Sequence, residues 1–110
     1  MPFYRWEQLP RLERPGNRTL RMVNGANSTV LRVEHIGPAA HEPHIHEDSE
    51  QITTILEGEM EYTLGDEVRT IRPGDIVVVP AGLRHGTRVP AGIRTVAIEF
   101  FSPPRTDLKP

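Results

Sequence analysis

The chain has no cysteine, so it carries neither disulfides nor thiolate ligands, although this does not fix its compartment. It has no strong charge of one sign. A formal net charge of -2 gives no electrostatic case for nucleic acid as a partner. Long hydrophobic runs are missing too: no segment approaches the length of a membrane span, and the opening MPFYRWEQLP lacks the apolar stretch of a signal peptide. A cytoplasmic protein that binds neither membrane nor nucleic acid is the default expectation. There is no internal repeat beyond a succession of short strands, and no segment keeps an apolar 3.6-residue period over ten residues.

What is present points to strands. At 110 residues the chain suits one domain with a single core, residues 1–110, and its 11 prolines and 9 glycines punctuate it too often for long helices. Residues 29–36 are rich in β-branched side chains and read as a strand closed by Gly37-Pro38. Residues 51–57 form the next, and Gly58 permits a bulge or tight bend before Met60, Tyr62 and Leu64 alternate with polar neighbours. Gly65-Asp66 suits a hairpin turn into Val68–Ile71. Ile76–Val79 is an apolar run suited to a strand buried on both faces, and 93–101 makes the last long strand. The tail from 102 to 110 reads as irregular. An all-β, closed or nearly closed antiparallel barrel of jelly-roll type follows, because closure removes exposed edges from so small a β protein.

The most informative residues are His44-Ile45-His46, Gln51, and His85 after the Pro80-Ala81-Gly82 turn. Histidines at i and i+2 share a strand face. With His85 and Gln51, four nitrogen or oxygen donors can converge on one divalent transition metal ion, for which Fe, Ni, Zn, Mn and Cu are all compatible. Glu50 is the competing fourth ligand. Strand alternation turns it away if Gln51 points inward, and a local bulge would reverse the choice. His41 reads as a surface loop residue, and His35, on one face with Leu31 and Val33, as a hydrogen-bonded core histidine.

The spacing resembles the cupin family. The first motif is Gly37, six residues, His44-x-His46, four residues, Gln51, six residues, Gly58. The second is Gly74, five residues, Pro80-x-Gly82, two residues, His85, three residues, Val89. Two departures stand out: one extra residue follows Gly37, and Val89 replaces the family asparagine. The resemblance implies a cupin barrel with its metal on His44, His46, Gln51 and His85. Those ligands are all neutral, so the ion would keep its full charge, which tilts the chemistry toward Lewis-acid, non-redox reactions.

The last strand adds a carboxylate. Its Thr95–Ala97–Glu99 face has small side chains and one acid, as a cavity wall would, so Glu99 is either a general acid/base or a rim glutamate paired with an arginine. Glu99-x-Phe101-x-Pro103-x-Arg105 is similar to the end of the small pectin-degradation cupins that linearise 4,5-unsaturated uronates. The likeness implies Glu99 as the proton-transfer group, Phe101 as a cavity wall and Arg105 as a clamp for the substrate carboxylate. The family has aspartate where this chain has Glu99, one methylene longer, and a solvated surface role for Arg105 stays open.

The first expectation is thus a metal-dependent isomerase or lyase acting on a small oxygenated acid, in carbohydrate metabolism. An Fe(II) or Ni(II) dioxygenase of the flavonol or diketone-cleaving type is the alternative, and a non-catalytic binding or sensing module the third. Tyr4, Trp6, Leu9 and Leu12 are more hydrophobic than a free tail needs; they would cover a sheet edge or cross to a second subunit, and a homodimer is expected.

Overall fold

In the computed structural model, which describes residues 3–105, 107 and 108, a 3-10 turn at Trp6–Gln8 precedes the strands. Ten strands follow among the described residues: β1 (Leu12–Arg14), β2 (Arg18–Asn24), β3 (Thr29–Ile36), β4 (Ala39–His44), β5 (Glu50–Glu57), β6 (Met60–Leu64), β7 (Glu67–Ile71), β8 (Ile76–Val79), β9 (His85–Val89) and β10 (Arg94–Ser102). They form a six-stranded sheet, β1-β2-β3-β10-β5-β8, and a four-stranded sheet, β4-β9-β6-β7, with antiparallel pairing throughout. This is the all-β jelly-roll architecture expected from the sequence. No helix among the described residues is long and apolar enough to cross a membrane.

The period-2 alternation of the strands decides what the sheets enclose. One core cluster joins them: Ala39, Met60, Tyr62, Ile71 and Val89 from the four-stranded sheet meet Ile55, Val79 and Ala97 from the six-stranded one. A second lies on the six-stranded sheet alone, where Leu20, Leu31, Val33 and Phe101 pack with Leu12, Met22 and Leu108. Each fully buried aliphatic or aromatic side chain contributes about 2 kcal/mol of transfer free energy. Leu20, Leu31 and Phe101 of one cluster and Tyr62 of the other line a single polar cavity. Its polar wall is therefore carried on well-packed strands.

The strands expected at 29–36, 60–64 and 76–79 have those bounds, and the Gly65-Asp66 turn joins β6 to β7 in the register Leu64↔Glu67. One expectation about burial fails. β8 is not covered on both faces: Ile76 is 68% and Val78 49% exposed, because they point to the outer face of the six-stranded sheet, on which Phe100 of the central strand β10 is exposed as well. Four strands are additional to those read from the sequence. β4 (AAHEPH) carries a proline and no β-branched residue, and β9 (HGTRV) is polar, so neither signals itself by composition. β1 and β2 form an N-terminal hairpin whose Leu12 packs on the second cluster, while Tyr4 stays 62% exposed. The tail is irregular from Pro103 to Arg105. It is pinned there by the Arg105 amide, which donates to Thr29 Oγ1 at 2.9 Å. Thr106, Lys109 and Pro110 of the expected tail lie outside the described residues, as do Met1 and Pro2 of the domain.

Candidate metal centre and catalytic cavity

His44 ends β4 and His85 opens β9, and the two are opposed in the β4–β9 register. His46 follows two residues beyond β4, held by its carbonyl, which accepts from the Gly82 amide at 2.8 Å. The Pro-x-Gly turn thus draws the second motif onto the first. One ligating nitrogen from each of His44, His46 and His85 lies within 4.8 Å of the others.

The tautomers suit a metal. A neutral imidazole whose Nδ1 donates to a carbonyl presents its Nε2 lone pair outward. His44 Nδ1 lies 2.8 Å from the Glu42 carbonyl and His85 Nδ1 3.1 Å from that of Leu83. His85 Nε2 is buried with no hydrogen-bond partner among the described residues, a cost a bound ion would remove. Burial lowers all three imidazoles, and the Arg105 charge lowers them further, His46 to about 4. They are neutral at pH 7, the form that ligates. The residues present fit a divalent metal ion.

Gln51, on β5 opposite Val79 and Phe101, lines the same cavity and is buried, whereas Glu50 is exposed. Its Nε2 faces three oxygens: Thr53 Oγ1 at 3.0 Å, Tyr62 Oη at 3.2 Å and Glu99 Oε1 at 3.1 Å. An amide nitrogen surrounded by acceptors orients its Oε1 as the group's remaining acceptor. Burial, and next the Glu99 charge, push the Tyr62 hydroxyl up, so it remains a neutral phenol.

Glu99 projects from β10 into this network. Burial raises its carboxyl to about 7, against the opposing charges of Arg18 and then Arg105. It makes no ion pair with an arginine among the described residues, unlike a rim glutamate. Phe101 is 1% exposed and meets the His46 ring edge-on at 5.6 Å between centroids. Arg105 is mostly covered, its side chain 13% exposed, with its guanidinium carbon 4.7 Å from the Phe101 centroid.

Two histidines differ from expectation. His41 is no free surface residue: its ring stacks on His44 at 3.9 Å, and its Nδ1 accepts from Arg18 Nη1 at 3.2 Å. His35 is buried as expected, yet neither ring nitrogen has a hydrogen-bond partner among the described residues. Burial, reinforced by Arg18, lowers its pKa from 6.5 to about 4. A group whose folded pKa is depressed in this way favours the fold above its unfolded pKa, and that contribution fades as pH falls from about 6.5 toward 4. His35 alone should account for roughly 2–3 kcal/mol of the stability lost between pH 7 and 4.5, and His35→Leu should reduce the total loss by about that share. Urea unfolding at both pH values checks this, and an undiminished loss in the variant would refute it.

Arg18, His35, His41, Thr53 and Tyr62 were not identified as site residues from sequence. Tyr62 sits on the inward face that the Met60–Leu64 alternation marks, but only the pairing of β6 with β9 and of β5 with β10 brings it to Gln51.

The cupin-domain profile matches residues 32–99, more than half of the chain, and the protein belongs to the cupin family. Among solved structures it is similar to KdgF from Halomonas sp., with 25% identity and a TM-score of 0.89 over 96% of this chain and 98% of that one. An RmlC-like cupin from Shewanella frigidimarina NCIMB 400 shares the fold at 24% identity and a TM-score of 0.88, covering 96% and 93% of the two chains. The polyketide cyclase RemF from Streptomyces resistomycificus does so at 21% and 0.82, covering 93% and 79%. No curated protein sequence matches the chain.

Proposed function

We propose that the protein is a metal-dependent, non-redox enzyme that opens the ring of a small unsaturated sugar acid, a 4,5-unsaturated uronate. The observation that carries this reading is the convergence in one cavity of three neutral imidazoles, the Gln51 amide and the Glu99 carboxyl. The resemblance of Glu99-x-Phe101-x-Pro103-x-Arg105 to the small pectin-degradation cupins and the likeness to KdgF from Halomonas sp. support the substrate class.

His44, His46, His85 and Gln51 would hold the ion. A bound divalent ion supplies Lewis-acid stabilisation to oxygen that becomes anionic during reaction. The proton balance falls to the protein. Ring opening removes the proton of the anomeric hydroxyl, breaks the bond between the anomeric carbon and the ring oxygen, and leaves an aldehyde and an enolate. Returning a proton to C4 gives the ketone, so atoms are conserved and no oxidant is required. Glu99 takes the first proton and delivers the second. Gln51, donating to Glu99 Oε1, fixes which oxygen faces the substrate. Phe101 walls the cavity against water.

The test is anaerobic mixing of metal-loaded protein with a 4,5-unsaturated uronate, followed by loss of the conjugated ultraviolet absorbance. Accelerated loss is expected in wild type. In Glu99→Gln it should fall about 100- to 10,000-fold with metal content unchanged. No acceleration in wild type would sink the assignment, and stoichiometric oxygen uptake on phenolic or diketone substrates would replace it with the dioxygenase reading.

A homodimer is also proposed. Val78, Ile52 and Phe100 form one cross-strand row on the outer face of the six-stranded sheet, next to exposed Ile76, an apolar strip suited to a second copy. Light scattering should give a dimer mass for wild type and a monomer for Phe100→Glu; a wild-type monomer contradicts it.

A further inference from the structure

Three arginines line the cavity: Arg14, whose Nη1 donates to the Glu13 carbonyl at 2.9 Å, and Arg18 and Arg105, which are in different states. Arg105 is already paired: its Nε and Nη2 donate to the two carboxylate oxygens of Asp107 at 2.7 and 2.6 Å. That is the two-pronged edge with which a guanidinium grips a carboxylate. What remains is the second Nη2 N–H, Nη1, which lies 3.4 Å from His46 Nε2, and a face against Phe101.

Arg18 reaches the cavity from the opposite end of the chain, on β2. It is half-buried, and its Nε donates to the Pro15 carbonyl at 3.0 Å and its Nη1 to His41 Nδ1 at 3.2 Å. Both partners are neutral. Among the described residues no carboxylate comes within ion-pair distance of it; Glu99 acts on it only through space, so this partly desolvated charge faces the cavity without a direct carboxylate partner. Directly opposite Arg18 in the β2–β3 register sits His35, which also lines the cavity with both ring nitrogens unpartnered among the described residues. The β2 end of the cavity therefore sets Arg18, a cation without a directly bound carboxylate, beside an unsatisfied imidazole. Of Arg18 and Arg105, Arg18 also acts the more strongly on Glu99.

We infer that Arg18, not Arg105, anchors the carboxylate of the acid that this cavity takes. Arg105 is then a positioning residue, holding the tail and Phe101 through its pairing with Asp107. The inference rests on the proposed function for the reaction, but its binding test does not need turnover.

Zinc-loaded protein is titrated calorimetrically with galacturonate and with galacturonic acid methyl ester, which differ in the carboxylate charge. Wild type should prefer the acid. In Arg18→Gln the acid should bind about 10- to 100-fold more weakly, the ester should be unaffected and zinc content unchanged. Arg18→Lys restores the charge without the fork, should recover part of the loss, and carries the test if Arg18→Gln does not fold. Arg105→Gln should keep the acid preference. The inference is overturned if Arg18→Gln keeps the preference, if Arg105→Gln loses it equally, or if wild type binds neither probe. Turnover of the unsaturated uronate is measured in parallel. A wild type without turnover whose acid preference still depends on Arg18 refutes the reaction alone; turnover with a preference indifferent to Arg18 refutes the anchor alone.

Discussion

Exchanging His85 for alanine should leave a folded protein that no longer retains a divalent ion. Wild type dialysed against trace zinc, nickel or iron should hold close to one equivalent per chain, and the variant should lose at least about 100-fold in affinity. Even partners that only orient a ligand are worth 10- to 100-fold, and His85 is a ligand itself. Its imidazole is 2% exposed, its Nδ1 is committed to the Leu83 carbonyl, and its Nε2 is buried without a partner among the described residues. The same substitution relieves that unsatisfied nitrogen, so metal-free stability should change little while metal-dependent stabilisation disappears. Elemental analysis after chelator treatment, with melting curves plus and minus metal, separates the two effects. Equal metal retention in variant and wild type would remove His85 from the centre.

The second large effect is on folding. A Cβ at position 37 would lie 1.7 Å from the Pro90 carbonyl oxygen, 2.6 Å from its carbon and 2.9 Å from the Ile93 oxygen. Every one of these is backbone, and the Gly37 amide itself donates to the Ile93 oxygen at 2.8 Å. Nothing there is a side-chain end that can swing away. Gly37→Ala must push the turn between β9 and β10 off β3, and it should cost about 4 kcal/mol or more. That corresponds to a fall of roughly 15 °C or more in Tm, or to failure to fold. Gly82→Ala is the comparison, because a Cβ there meets nothing within 4 Å and only the positive φ of +85 opposes it. Its cost should be about 1–2 kcal/mol. Equal destabilisation by the two substitutions would show that the close approach at Gly37 does not matter.

How much of this was legible beforehand depended on whether a feature is local. The His44–His46 pair, the Pro80–Gly82 turn and the alternation in β3, β6 and β10 are all carried within a few residues, and each was readable. Gln51 over Glu50 rested on the spacing implied by the family resemblance, with period 2 turning Glu50 to the other face, and in β5 Gln51 is buried while Glu50 is exposed. Arg18 illustrates what was not. Nothing around it distinguishes it from other arginines on a strand; its importance comes from β2 pairing with β3 and from contact with His41, which is 23 residues away. The Asp107 that occupies Arg105 was equally invisible, since a two-residue spacing in a proline-rich tail has no regular geometry from which to argue. Likewise, Ile76 and Val78 look like core, and it is their place on the outer face of the six-stranded sheet that exposes them.

The place of β10 bears on how the protein is made. This strand comes last among the described strands yet lies in the middle of the larger sheet, paired with β3 on one side and β5 on the other. During synthesis, residues up to 93 emerge with both flanking strands lacking their neighbour, and each presents a bare ladder of amides and carbonyls. Glu99, Phe101 and Arg105 follow every other strand that lines the cavity, so no cavity exists until they have emerged. A transcript broken before position 94 thus yields a sticky half-sheet rather than a smaller working protein.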